Sequence, residues 1–150
     1  MTAEPSHDFD FHFGSWHAHH RRLKEWLAGC TEWLEYDGTA EAWPALGGNA
    51  NMDDNLFHAP AGDYRGVTLR SFDPATKTWA IWWLDGRFPH TIDPPMIGTF
   101  YADETFQGKP IKVRFLWRNI LSTSHQWEQA FSPDGGQSWE TNWITVFTKM

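Results

Sequence analysis

Trp83, Asp85 and Arg87 stand two residues apart, so on an extended chain their side chains share a face. His20 and Arg22 stand in the same relation, with Trp16 and Ala18 before them. An imidazole, a carboxylate and two guanidiniums beside indole rings form a set that could move a proton. Asp85 or His20 would then be the general base, and Arg22 or Arg87 would stabilise an oxyanion or enolate. The same groups could instead hold a ligand without transforming it. In that reading Trp16, Trp83, Trp117 and Trp143 supply flat apolar contact, while Arg22, Arg87 and Gln129 orient a polar tip. A third reading is a satisfied buried network that fixes strand register. Asn51 and Asp53 join any of these if their strands point the same way.

Positioning such residues calls for strands with two different faces, and the 11 tryptophans supply the pattern. Alternation of period two runs through residues 79–85, 113–117 and 139–147. A strand is expected over residues 15–26, placing Trp16, Ala18, His20 and Arg22 on one face. A helix competes over residues 21–27, where Leu23, Trp26 and Leu27 are three and four apart. Further strands are expected over residues 32–43, ended by Pro44 and Gly47-Gly48, then over 49–57 and 64–72. Asp73-Pro74-Ala75-Thr76-Lys77 makes a turn into the Trp79 strand, so these two form a hairpin. Strands resume over residues 96–101, 111–120, 125–131 and 139–148. Residues 86–95 contain Phe88-Pro89-His90 and Asp93-Pro94-Pro95, too poor in donors for a ladder, and are expected to lie over a barrel rim. The fold class expected is all-β: a single antiparallel barrel of eight to ten strands over residues 1–150, with the first and last strands adjacent. The first ten residues read as a polar lead-in.

Other motifs are weighed against plainer explanations. Ser132-Pro133-Asp134-Gly135-Gly136-Gln137-Ser138-Trp139 matches the Asp-box pattern S-x-D-x-G-x-S/T-W. Its aspartate serves turn donors and its glycines take positive φ, so it reads as a hairpin clasp and not a catalytic acid. A propeller would repeat it blade by blade. Among the eight histidines, His12, His17, His19 and His20 crowd into nine positions. His17 and His19 share a face but lack an evident third ligand, so no metal site is expected. His90 or His125 could serve as an axial ligand if the barrel held haem.

Phe13-Gly14-Ser15-Trp16 resembles the Gly-x-Trp that opens the first strand of lipocalins and other calycins. There the tryptophan plugs the closed end and a basic residue near the end of the last strand stacks on it; Lys149 stands at the corresponding place. A wider series runs in order: Phe9-Asp10-Phe11, Arg21-Arg22-Leu23, Leu46-Gly47-Gly48, Tyr64-Arg65-Gly66, Asp73-Pro74-Ala75-Thr76 with Trp79, and Asp93-Pro94-Pro95. Arg114-Phe115-x-Trp117 and Trp127-Glu128-Gln129-Ala130-Phe131-Ser132 complete it. Over nearly the whole chain this is similar to a family of bacterial calycin-like domains of unknown function. The resemblance implies a lipocalin-like barrel and carries no established catalytic residues.

The totals narrow the partners. At 150 residues, 41% hydrophobic and 21% charged, the chain is one ordinary globular domain. A net charge of −7 with scattered Lys and Arg argues against nucleic acid. Cys30 is the only cysteine, so neither an internal disulfide nor a cysteine zinc site can form. Residues 1–10 lack the layout of a signal peptide and no apolar run reaches membrane length, which makes the cytoplasm the expected location. The function expected is binding of a small, flat, largely apolar ligand, aromatic or isoprenoid-like, in the barrel. The alternatives are a cofactor-independent lyase, isomerase or cyclase in the same cavity, with Asp85 and His20 as its catalytic groups, and a haem-binding barrel. Apart from that last case no cofactor is expected. The partner is the small molecule, with neither nucleic acid nor membrane, and a homodimer is allowed for.

Overall fold

A computed structural model describes residues 6–92, 94–98 and 101–150. Ten strands account for most of it: β1 (Gly14–Leu23), β2 (Trp33–Ala45), β3 (Ala50–Ala59), β4 (Gly62–Asp73), β5 (Thr78–Asp85), β6 (Met96–Gly98), β7 (Tyr101–Phe106), β8 (Lys109–Arg118), β9 (Ser124–Ser132) and β10 (Glu140–Lys149). They form one sheet in the order β6-β5-β4-β3-β2-β1-β10-β9-β8-β7, with every pair antiparallel. The first and last strands are neighbours, as the sequence led us to expect. The sheet curls into a nearly closed barrel whose two ends are β6 and β7. There Gly98 approaches so closely that a Cβ on it would stand 2.1 Å from the Tyr101 carbonyl oxygen.

Period two decides what each strand buries. Along β1, Trp16, Ala18 and His20 are buried while His17, His19 and Arg21 are exposed. No helix forms over residues 21–27; β1 ends at Leu23 and the chain bends. Trp16, Ala18, Ala40 and Phe147 build one core cluster with Trp117 and Trp127 against it. Ile111, Val113 and Phe131 build another, flanked by Trp26, Leu27, Met96, Phe106 and Phe115.

Several details differ from the sequence reading. Pro44 does not end β2 but lies within it, opposite Asn51. The ladder between β1 and β2 stops at the Gly14–Ala42 pair, so the missing N–H of Pro44 faces no partner strand. The chain over residues 101–118 is two strands, because Gln107 (φ +50°) and Gly108 (φ +77°) make a tight turn between Phe106 and Lys109. The expected strand over residues 96–101 shortens to β6; residues 99–100 lie outside the described residues, as does Asp93 of the proline-rich loop. The polar lead-in is not peripheral. A 3-10 turn at Asp10–His12 folds across one end of the barrel, with Phe9 edge-on to Trp79 (ring centroids 4.9 Å) and Phe11 edge-on to Trp117 (5.3 Å). The first five residues lie outside the described part.

Candidate functional site

The barrel encloses a cavity of about 810 Å³, large enough for a small organic ligand. Of the residues singled out in the sequence, His20, Arg22, Trp83, Asp85, Arg87, Trp117, Gln129 and Trp143 all line it. Trp16 does not. It sits 2% exposed in the core by the N-terminal plug, and its indole N–H donates to the His12 carbonyl at 2.7 Å. Lys149 pairs with Trp16 in register but is exposed, and the described cation–ring contacts all involve arginine.

At the end away from the plug, Asp85 and Arg87 are committed to each other. Arg87 donates from Nε at 3.0 Å and from Nη2 at 2.7 Å to the two carboxylate oxygens, and its own backbone N–H adds a third bond at 2.9 Å. The guanidinium also lies 3.9 Å from the centroid of the Tyr64 ring. These bonds from Arg87 hold the Asp85 carboxyl below the usual carboxylate range, which makes it a weak base. From there the chain turns back over the rim. The Phe88 N–H meets the Asp85 carbonyl and the Thr91 N–H meets the Phe88 carbonyl. Phe88, His90 and Ile92 are exposed, whereas Pro94 and Met96 line the cavity.

His20 occupies the middle of the wall, stacked on Tyr36 with ring centroids 5.0 Å apart. Its Nδ1 lies 2.9 Å from the Thr145 hydroxyl and 3.3 Å from the Trp143 indole nitrogen. An indole N–H can only donate, so Nδ1 must be the acceptor and the imidazole proton sits on Nε2. Burial, helped by the charge of neighbouring His19, pulls the pKa to about 4. At neutral pH His20 is thus an uncharged donor through Nε2, and that nitrogen has no partner among the described residues. Its basic lone pair is already engaged, which leaves it unsuited to abstract a proton from a molecule in the cavity.

Beside it, β10 carries a bulge: Asn142 and Trp143 together oppose Gln129. The extra residue turns Asn142 inward out of the period-two pattern. Asn142 is fully buried and its Oδ1 accepts from the Gln129 side chain at 3.0 Å, which fixes that amide against the cavity.

A second polar cluster lies by the plug. Asp53 accepts from Arg70 Nη2 at 2.8 Å, from Asn55 at 2.6 Å and from His12 Nε2 at 3.2 Å. His12 Nδ1 lies 2.9 Å from His125 Nε2, and Arg70 also donates to Asn51 at 3.0 Å. Burial alone would raise Asp53, but the Arg70 charge and the hydrogen bonds from His12 and Arg70 override it and hold the carboxyl well below its ordinary range. Burial lowers His12, and takes His125 down to about 4. With Asp53 ionised and both rings neutral, His12 donates through Nε2 and accepts through Nδ1 from His125 Nε2–H. His125 Nδ1 is then a bare lone pair, without a partner among the described residues. His90 and His125, the imidazoles considered for haem, are not among the cavity-lining residues. The described residues hold no group of three or more His, Cys, Asp or Glu suited to a metal ion.

The sequence reading missed His12 and Arg70 as parts of the interior, and Trp26, Phe57 and Trp127 as parts of its wall. Arg70 was within reach, since it continues the 64, 66, 68, 70 alternation of β4.

No family model and no curated protein matches the chain. Among solved structures it is similar to a de novo designed fluorescence-activating β-barrel, with a TM-score of 0.51 and 12% identity over 94% of this chain and 95% of that one. No described helix is long and apolar enough to cross a membrane. At 12% identity the likeness speaks for architecture alone: ten antiparallel strands in a nearly closed barrel.

Proposed function

We propose that this protein binds a small, flat, largely apolar molecule, aromatic or isoprenoid-like, inside the barrel. The observation that carries the reading is the cavity itself: about 810 Å³, walled by the rings of Trp26, Phe57, Trp83, Phe115, Trp127 and Trp143, with polar and charged side chains such as His20, Arg22, Arg87 and Gln129 set between them. A core meant only for stability would be filled to crystal-like density. The designed barrel it resembles is described as fluorescence-activating, which agrees with a barrel of this shape holding a flat guest. The Gly14-x-Trp16 opening and the plugged end support kinship with calycins, and the bonds from Ser132, Gly136 and Ser138 around Asp134 suit an Asp-box clasp. The enzymatic alternative gains nothing from the site: Asp85 is neutralised by Arg87 and the His20 lone pair is occupied.

The test is tryptophan emission. Naphthalene-2-carboxamide should quench it saturably, and Trp83→Ala should weaken binding by roughly 1–3 kcal/mol through lost area and ring contact. Absence of saturable quenching by this probe and by naphthalene-2-carboxylate alike would refute the reading.

A further inference from the structure

Four cationic side chains line the cavity, Lys77 and three arginines, and the arginines differ in company. Arg70 is paired with Asp53 at 2.8 Å and Arg87 with Asp85 at 2.7 Å. Arg22 makes no ion pair among the described residues, and its Nε is shielded from solvent with no acceptor. Its guanidinium carbon lies 4.4 Å from the Trp26 ring centroid and 5.2 Å from that of Trp143. Ring faces stabilise a cation but accept few of its N–H bonds.

The neighbours of Arg22 share this deficit. The Trp26 indole N–H and the His20 Nε2–H are shielded from solvent and unpartnered. Both belong to cavity-lining residues. His20 and Arg22 are alternate residues of β1, paired with Thr145 and Trp143 of β10, so the three donors occupy one patch of wall. Buried donors without acceptors are costly, and native proteins keep few of them. Here three orphaned nitrogens are all donors and their only charge is positive. What is missing is an anion rich in lone pairs.

We propose that the Arg22 patch seats a carboxylate, so that the molecule bound in the cavity is a flat, apolar monocarboxylic acid taken up as its anion. This rests on the cavity-binding reading above. A carboxylate offers about four lone-pair sites and matches the guanidinium fork. At this patch the Arg22 guanidinium balances one negative charge; a phosphate dianion would leave excess charge against the rings of Trp26 and Trp143, at high cost. The rings of Trp26, Trp143 and Trp83 then receive the apolar body.

The experiment compares naphthalene-2-carboxylate with naphthalene-2-carboxamide, probes of one shape and different charge, by tryptophan quenching of the full chain at neutral pH. The carboxylate should bind about ten- to a hundredfold more tightly, the range for a hydrogen-bonded charge. Arg22→Gln should erase that preference, lowering carboxylate affinity at least about tenfold more than carboxamide affinity. Arg65→Gln, which breaks an outer ion pair with Asp54, should retain it. Where Arg22→Gln does not fold, Arg22→Lys keeps the charge, loses the fork and should cut the preference severalfold. Equal binding of the two probes, or a preference that survives both Arg22 variants, overturns the proposal while the cavity reading stands. Binding of neither probe overturns both.

Discussion

Gly66 tests whether the indole of Trp83 is a movable cavity wall. A Cβ built on Gly66 would stand 2.1 Å from Trp83 Cη2 and 2.3 Å from Cζ2. Ordinary contact begins near 3.4 Å, so Gly66→Ala must displace the ring by more than 1 Å. The strand behind it cannot yield, since Gly66 pairs with Asp85 and Thr68 with Trp83 itself. The ring is the far end of a side chain whose inner face borders the cavity, where Phe57 stands with its centroid 6.1 Å away. It should therefore swing inward. The empty protein then loses little stability, because a void receives the displaced ring. A flat guest competes for that same space, and its affinity should fall by about 1–3 kcal/mol, the usual cost of overpacking. Gly38→Ala makes the contrast, for its Cβ would meet the Leu56 carbonyl oxygen at 2.1 Å. Backbone cannot swing away, so that change should lower the melting temperature and leave the affinity of the folded fraction alone. Thermal melts combined with quenching titrations of naphthalene-2-carboxamide read both quantities. If Gly66→Ala lowers melting as Gly38→Ala does and spares affinity, Trp83 is packed core and the argument fails.

Two further outcomes follow from the titrating groups and the hairpin between β9 and β10. Unfolded His20 and His125 titrate near 6.5, but in the folded protein both sit at about 4. Between those values the unfolded chain binds more protons, so stability falls with pH, by on the order of 3 kcal/mol per imidazole once pH 4 is reached. His19 works the other way, raised by Asp37 and then Glu35, but its side chain is 47% exposed and the effect is screened. Urea midpoints that stay level from pH 7 to about 4.5 would contradict this balance. Asp134, itself exposed and held at about 2 chiefly by the Ser138 hydroxyl, gathers the turn's donors. Asp134→Ala should lower the melting temperature with probe affinity unchanged; an affinity loss without a melting change would place Asp134 in the site.

How far the sequence could be read depended on range. The alternation Trp16, Ala18, His20, Arg22 is a local signal, and it placed β1 and its inward face correctly because sterics set the period of two. The hairpin between β4 and β5 was equally local, signalled by Asp73-Pro74. What the sequence concealed involved partners far apart in the chain. His12 touches Asp53 across 41 positions and His125 across 113; nothing near His12 advertises this, and its segment reads as polar because Asp8 and Asp10 surround it. Asn142 was hidden for a different reason. A bulge suspends the alternation from which facing is inferred, so the residue turned inward is the one that the pattern assigns to the outside.

The plug formed by Phe9, Phe11 and His12 gives the barrel a ruler. Arg22 lies six residues beyond Trp16 on β1, about 20 Å along the strand and about 15 Å along the barrel axis for a tilt near 40°. A guest whose charged head is pinned at the upper mark can extend only as far as that floor. Shorter acids leave part of the shaft unfilled and forfeit contact, while longer ones must fold back or expose their tails. Selection among acids of the same chemistry would thus be made by length, and the floor against which length is measured is set by a segment of the chain that lies outside the sheet.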